Sequence, residues 1–119
     1  MLRRTTSVAM LAALTLSAVA VASATPVGPL PKGPVTTIVA PRGTLVSVAL
    51  PKGSAGKVWR QANILDPKVL VQVSEADVGA NVVIVFKAAG AGSAKVAYGL
   101  TRGETRKAYA SATFTVRVR

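Results

Sequence analysis

The chain of 119 residues has no cysteine and no histidine, and its 15 lysines and arginines outnumber four carboxylates, giving a formal charge of +11. These counts remove disulfide staples, thiol nucleophiles, soft metal ligands and imidazole proton shuttles. They point away from catalysis and assign neither a metal nor a cofactor. The charge instead favours attraction to acidic partners.

Residues 1–24 read as a secretory signal. Arg3 and Arg4 form the basic start, Val8 to Val21 is almost wholly apolar, and Ala22-Ser23-Ala24 is a small-x-small cleavage site. The apolar stretch is shorter than the roughly 20 residues of a spanning helix, so the mature chain is expected to carry no transmembrane anchor. Thr5, Thr6 and Ser7 follow the arginine pair where a twin-arginine signal wants apolar side chains, which favours general secretion to the periplasm or beyond. Cleavage after Ala24 removes two arginines and lowers the charge from +11 to +9. What is left is enough for one small domain, which buries about two thirds of its unfolded surface and here has no disulfide to hold it.

Residues 25–34 hold four of the seven prolines, at positions 26, 29, 31 and 34, and are expected to form an extended leader with little core of its own. The domain proper is then expected over 35–119. Val35 to Ala40 suits a short strand, and Pro41-Arg42-Gly43 turns the chain. Val46, Val48 and Leu50 fall two apart on one face of the next strand, with Ser47 and Ala49 on the other. Pro51, which has no N–H, ends that ladder. Lys52-Gly53-Ser54-Ala55-Gly56 is a small, flexible loop, and Trp59, the only tryptophan, is the expected core anchor of the following strand.

Arg60 to Lys68 has no firm period and is expected to cross between sheets. Val69 to Ser74 alternates as a strand, Ser74 to Gly79 reads as a polar loop, and Val82 to Phe86 is a β-branched run with its even positions inward. After the turn at Gly90-Ala91-Gly92, Ala94, Val96 and Tyr98 alternate with Lys95 and Ala97, and Gly99 to Lys107 reads as a long basic connection. The last strand places Ala108, Ala110, Ala112, Phe114, Val116 and Val118 on one face. Tyr109, Ser111, Thr113, Thr115, Arg117 and Arg119 fall on the other. About seven short strands with no 3.6-residue period predict an all-β, immunoglobulin-like antiparallel sandwich. Its predicted core is Val46, Val48, Leu50, Trp59, Ile84, Phe86, Val96, Tyr98, Phe114, Val116 and Val118.

Few residues suggest chemistry. Glu75 and Asp77 are two apart, but calcium wants roughly six to eight oxygens, so they read as a solvated pair. Gly53-Ser54-Ala55-Gly56-Lys57 is too short between glycines for a phosphate-binding loop and continues into Val58, where Ser or Thr is needed. Lys52, Lys57 and Arg60 form one basic cluster, and Arg102, Arg106 and Lys107 form a denser one. Connections after alternate strands of a sandwich gather at one end, so the two are candidates to converge. The basic surface assigned to Lys57, Arg60, Arg106 and Lys107 suits an acidic envelope polymer or an acidic protein. It predicts no specific nucleic acid, because Tyr109 is the main spare stacking aromatic.

The strands carry a resemblance as well. Gly43, Leu45, Val46, Leu50, Pro51, Gly56 and Trp59 fit the frame of the chagasin-type inhibitors of papain-like cysteine peptidases. In that family a strand ending Leu-Pro leads through a loop to a tryptophan. Val82 to Gly90 is similar to the family's strand ending Lys-Ala-Ala-Gly, and Phe114 to Val118 to its closing strand. The resemblance covers Gly43 to Arg119. It implies an exported inhibitor whose three loops enter a peptidase cleft reversibly and without covalent chemistry. Carried onto this sequence, those loops are Lys52, Gly53, Ser54, Ala55 and Gly56; then Asp77, Val78 and Gly79; then Leu100, Thr101 and Arg102. Each departs from the family pattern of Asn-Pro-Thr-Thr-Gly, a glycine-rich loop, and Arg-Pro followed by an aromatic.

Overall fold

Period-two patterning becomes seven strands in the computed structural model, which describes residues 25–119. They are β1 (Val35–Ala40), β2 (Leu45–Pro51), β3 (Lys57–Gln61), β4 (Leu70–Val78), β5 (Asn81–Ala88), β6 (Gly92–Arg102) and β7 (Ala108–Val118). The order β1-β7-β6-β3 makes one sheet and β2-β5-β4 the other. All neighbours pair antiparallel except β1 and β7, which run parallel. The chain is thus an all-β, immunoglobulin-like sandwich without a disulfide. The secretory segment expected over 1–24 lies outside the described residues.

The inner faces follow the alternation. Val46, Val48 and Leu50 of β2 oppose Phe86, Ile84 and Val82 of β5 in register, and all are buried except Val82, which is half-buried. From the other sheet Val96, Tyr98, Phe114, Val116 and Val118 complete the core, with Tyr98 and Phe114 edge to face at 6.3 Å. Trp59 is half-buried and packs on the margin of this cluster, so Phe86, not the tryptophan, is its largest fully buried side chain. The reason lies in its polar edge and position. β3 is the outermost strand of its sheet, and the indole N–H turns back to donate to the Pro51 carbonyl at 2.7 Å.

Two expected loops are strands. Ser74 to Val78 continues β4, pairing with Val85 to Asn81 of β5 across a bulge after Gln72, and only Gly79-Ala80 turns. An edge strand tolerates Glu75 and Asp77 because its side chains reach past the opposing sheet into water. Similarly β6 runs on to Arg102, leaving Gly103 to Lys107 as the connection.

Residues 25–34 lie across the outer face of the β6–β7 pair. The Gly28 N–H donates to the Arg106 carbonyl at 2.8 Å, the Ser111 hydroxyl to the Pro31 carbonyl at 2.6 Å, and the Thr113 N–H to the Pro34 carbonyl at 3.0 Å. Val27 and Leu30 sit over Gly99, where a side chain would meet them at 2.8 and 2.9 Å. This cover buries Ser111, on a face that alternation assigns to solvent and where Ala97 is buried too. Where Leu100 stands opposite Ala110 and Thr101 opposite Ala108, Tyr109 is left over as a bulge. Ala108 is thereby turned toward Gly99, leaving the inward face expected for it.

Tyr98 is 2% exposed and its hydroxyl has no hydrogen-bond partner among the described residues. Burial, with the Glu75 charge adding to it, pushes this hydroxyl well above the ordinary tyrosine range. A phenol whose pKa is higher in the folded than in the unfolded chain contributes nothing pH-dependent while both forms are neutral. That stability is complete below about pH 10 and is lost as pH rises toward the folded value. Tyr98→Phe should be neutral or stabilising at pH 7, since it removes an unpaired buried hydroxyl. It should also flatten the fall in stability above pH 10, as urea titrations at pH 7 and pH 11 would show.

Candidate functional site: a three-loop edge

Three connections meet at one end of the sandwich: the β2–β3 loop (52–56), the β4–β5 turn (79–80) and the β6–β7 loop (103–107). The first is tied to both of the others. The Lys52 N–H donates to the Ala80 carbonyl at 2.9 Å, and Lys52 Nζ stands 3.7 Å from the Asp77 carboxylate. On its other side the Gly103 N–H donates to the Gly56 carbonyl at 3.1 Å. Gly56 holds φ +82 with open space around it, so glycine is required there by backbone conformation. At Gly53 the requirement is space, because a Cβ would come 2.9 Å from Leu100 Cδ1.

The expected loop residues therefore divide. Lys52, Ser54, Ala55 and Gly56 are exposed at the tip of the edge, with Gly53 half-buried beneath them. Asp77 and Val78 are exposed at the end of β4, and Gly79 opens the turn. Leu100, Thr101 and Arg102 belong to β6 and are not a loop. Leu100 is half-buried under Gly53, and Thr101 is 0% exposed. The Thr101 hydroxyl accepts from Arg60 Nε at 3.0 Å and donates to the Gly103 carbonyl at 2.7 Å. Thr101 thus shapes the third loop from below; the exposed residues of that connection are Gly103 to Lys107.

The basic residues divide too. Arg60 is half-buried, and its two terminal nitrogens donate to the carbonyls of Thr25 and Thr105, both at 2.6 Å. It is a clamp joining the N-terminal segment, β3 and the third loop, not a free surface charge. Arg106 lines a shallow cleft with Pro29, Leu30 and Pro31 on the outer face. Lys57, Arg102 and Lys107 do converge, around the ring of Tyr109. Alternation cannot show this grouping, because the bulge at Tyr109 changes the side on which its ring emerges.

On the inner side of the edge, loop 52–56 overhangs a cleft bounded by Trp59, Val82, Glu75 and Asp77. Its walls offer backbone groups and one ion pair but no nucleophile with a base beside it. The edge can present shape and hydrogen bonds to a partner.

An immunoglobulin-like sandwich with three connections locked together at one end is the class of protein that these features define. No protein-family model and no curated protein matches the chain. Among solved structures it is similar to EhICP2, a cysteine protease inhibitor from Entamoeba histolytica, at TM-score 0.54 and 14% identity. That alignment covers 75% of this chain and 99% of that one. It is similar also to PbICP-C, solved in complex with falcipain-2, at TM-score 0.54 and 14% identity, covering 78% of this chain and 96% of that one. The likeness is one of fold.

Proposed function

We propose that this protein is an exported, reversible inhibitor of papain-like cysteine peptidases, occluding the cleft with the edge formed by residues 52–56, 77–80 and 103–106. The carrying observation is that the central loop is hydrogen-bonded to both of its neighbours, through Lys52 to Ala80 and Gly103 to Gly56. An edge fixed in this way loses little conformational freedom on binding, which favours affinity. The slender Gly53-Ser54-Ala55-Gly56 tip suits entry into a cleft. The fold shared with a cysteine protease inhibitor and the resemblance along the strands support the same reading.

The test is a titration of the protein against several papain-like peptidases. Competitive inhibition of at least one is expected. Ser54→Glu with Ala55→Glu should weaken it by about 100-fold, since two desolvated charges without partners at a central contact cost several kcal/mol. Both residues are exposed, so the fold should survive. A protein that inhibits none of the panel would end this reading. If residues are grafted to strengthen inhibition, they belong at 103–106 and not directly after Tyr98, where they would replace the buried Thr101.

A further inference from the structure

Tyr109 is 42% exposed, and its ring gathers three cations: Lys57 Nζ at 4.6 Å from the centroid, Lys107 Nζ at 5.0 Å and Arg102 Cζ at 5.8 Å. These come from three separate places in the chain. Lys57 opens β3, Arg102 closes β6 directly opposite it, and Lys107 ends the third loop. Cations this close repel one another, and the electron-rich face of the ring offsets only part of that repulsion. No carboxylate relieves the rest. Among the described residues the one ion pair is Lys52 with Asp77, and Glu104, in the same loop as Lys107, pairs with nothing within 4 Å. The ring holds flexible side chains in place, so that an incoming anion finds them already ordered.

Position indicates what kind of anion. Lys57 directly follows Gly56, and Arg102 directly precedes Gly103, the two residues whose backbone groups join the first and third loops. Any body that takes the three-loop edge stands beside Tyr109. The patch is also compact. Arg60, which would extend it, is clamped to Thr25, Thr101 and Thr105, and Arg106 lines the outer-face cleft under the N-terminal segment. A linear polyanion needs a track of cations, and a single-stranded nucleic acid needs repeated stacking aromatics as well, whereas a single cluster fits a local group of carboxylates.

We propose that Lys57, Arg102, Lys107 and Tyr109 form a second contact beside the inhibitory edge, seating an acidic segment on the rim of the peptidase cleft and directing the protein to peptidases with a carboxylate-rich rim. This rests on the inhibitor reading. The edge closes the cleft, and the cluster selects which cleft is approached and how fast, since charge complementarity acts chiefly on association rate and partner choice.

The experiment compares two papain-like peptidases, one with a rim rich in Asp and Glu and one with a neutral rim. The variants are the triple change Lys57→Gln, Arg102→Gln, Lys107→Gln and the single change Tyr109→Leu, each checked for an unchanged melting curve. Expected for the triple variant is a loss of about tenfold or more in inhibition of the acidic-rim peptidase, mostly in the association rate. Its inhibition of the neutral-rim peptidase should hold within about twofold, and its salt dependence should shrink. Tyr109→Leu should give a smaller loss confined to the same peptidase. Equal losses on both peptidases, or none on either, would overturn the second contact while leaving the inhibitor reading standing. Heparin and poly-glutamate serve as further probes. Cluster-dependent binding to either polymer, with peptidase inhibition unaffected by the triple change, would assign the patch to a polymer and also overturn the proposal. If the unaltered protein inhibits neither peptidase, the inhibitor reading itself has failed and takes this one with it.

Discussion

Removing residues 25–33 should cost at least about 3 kcal/mol of stability and loosen the third loop of the edge. Three hydrogen bonds go with the segment: Arg60 to Thr25, Gly28 to Arg106 and Ser111 to Pro31. Each contributes about 1 kcal/mol. The Ser111 hydroxyl would regain water, but Gly99, now lying under Val27 and Leu30, would expose the strands beside it. Because the Arg60 guanidinium and the Gly28 N–H hold the backbone carbonyls of Thr105 and Arg106, the effect should reach the site itself. Urea denaturation of the truncated protein would show a lowered midpoint. Hydrogen exchange would show faster opening around Gly103 to Lys107. Gly33→Ala provides a milder version, as its added Cβ would run into the Ser111 carbonyl and hydroxyl. A truncated protein with an unchanged midpoint and unchanged exchange would mean that the segment merely rests on the sheet.

Phe86→Ala should have the largest effect of any single core replacement, about 3–5 kcal/mol. Its side chain is 0% exposed and sits between Val46 across the strand pair and the facing sheet. Small domains have only about 5–15 kcal/mol in total, and no disulfide limits the unfolded state here. Trp59→Ala should cost less, despite the larger side chain, because Trp59 remains half in water at the margin of the core. Parallel denaturation curves of the two variants decide the order; a larger loss for Trp59→Ala would place the centre of the core at β3.

These two residues illustrate what could be read from the sequence. Val46, Val48, Leu50, Ile84 and Phe86 were legible because the facing sheet covers one side of their strands, and one-sided burial imposes period two directly. Trp59 was misread as a core anchor because size alone says nothing about whether a strand lies at an edge. Glu75 and Asp77 looked like a loop for a related reason: an edge strand with water on its inner side carries loop-like residues. At the site, Lys52 to Gly56 was legible from Pro51 and the glycines. Thr101 was not, since its burial comes with the Arg60 side chain, 41 positions earlier, and the Gly103 turn that its hydroxyl joins. For the covering segment one signal was available. Ala97, Gly99 and Ser111 are small residues at outward positions of adjoining strands, which is where a sheet accepts a covering segment. The bulge at Tyr109 has no sequence signature, and with it the grouping of Lys57, Arg102 and Lys107 was hidden.

The parallel pairing of β1 with β7 has a consequence for the order of events in folding. Among the described residues Val35 to Ala40 has no strand neighbour other than Thr113 to Val118, and Pro31 waits for Ser111, 80 positions later. The earliest-synthesised part of the domain thus has nowhere to go until β7 has left the ribosome. Contacts so distant along the chain make closure slow. The domain therefore cannot be completed until its synthesis is nearly finished. That is the condition a polypeptide must meet to be threaded across a membrane before it folds, as the signal expected over residues 1–24 would require.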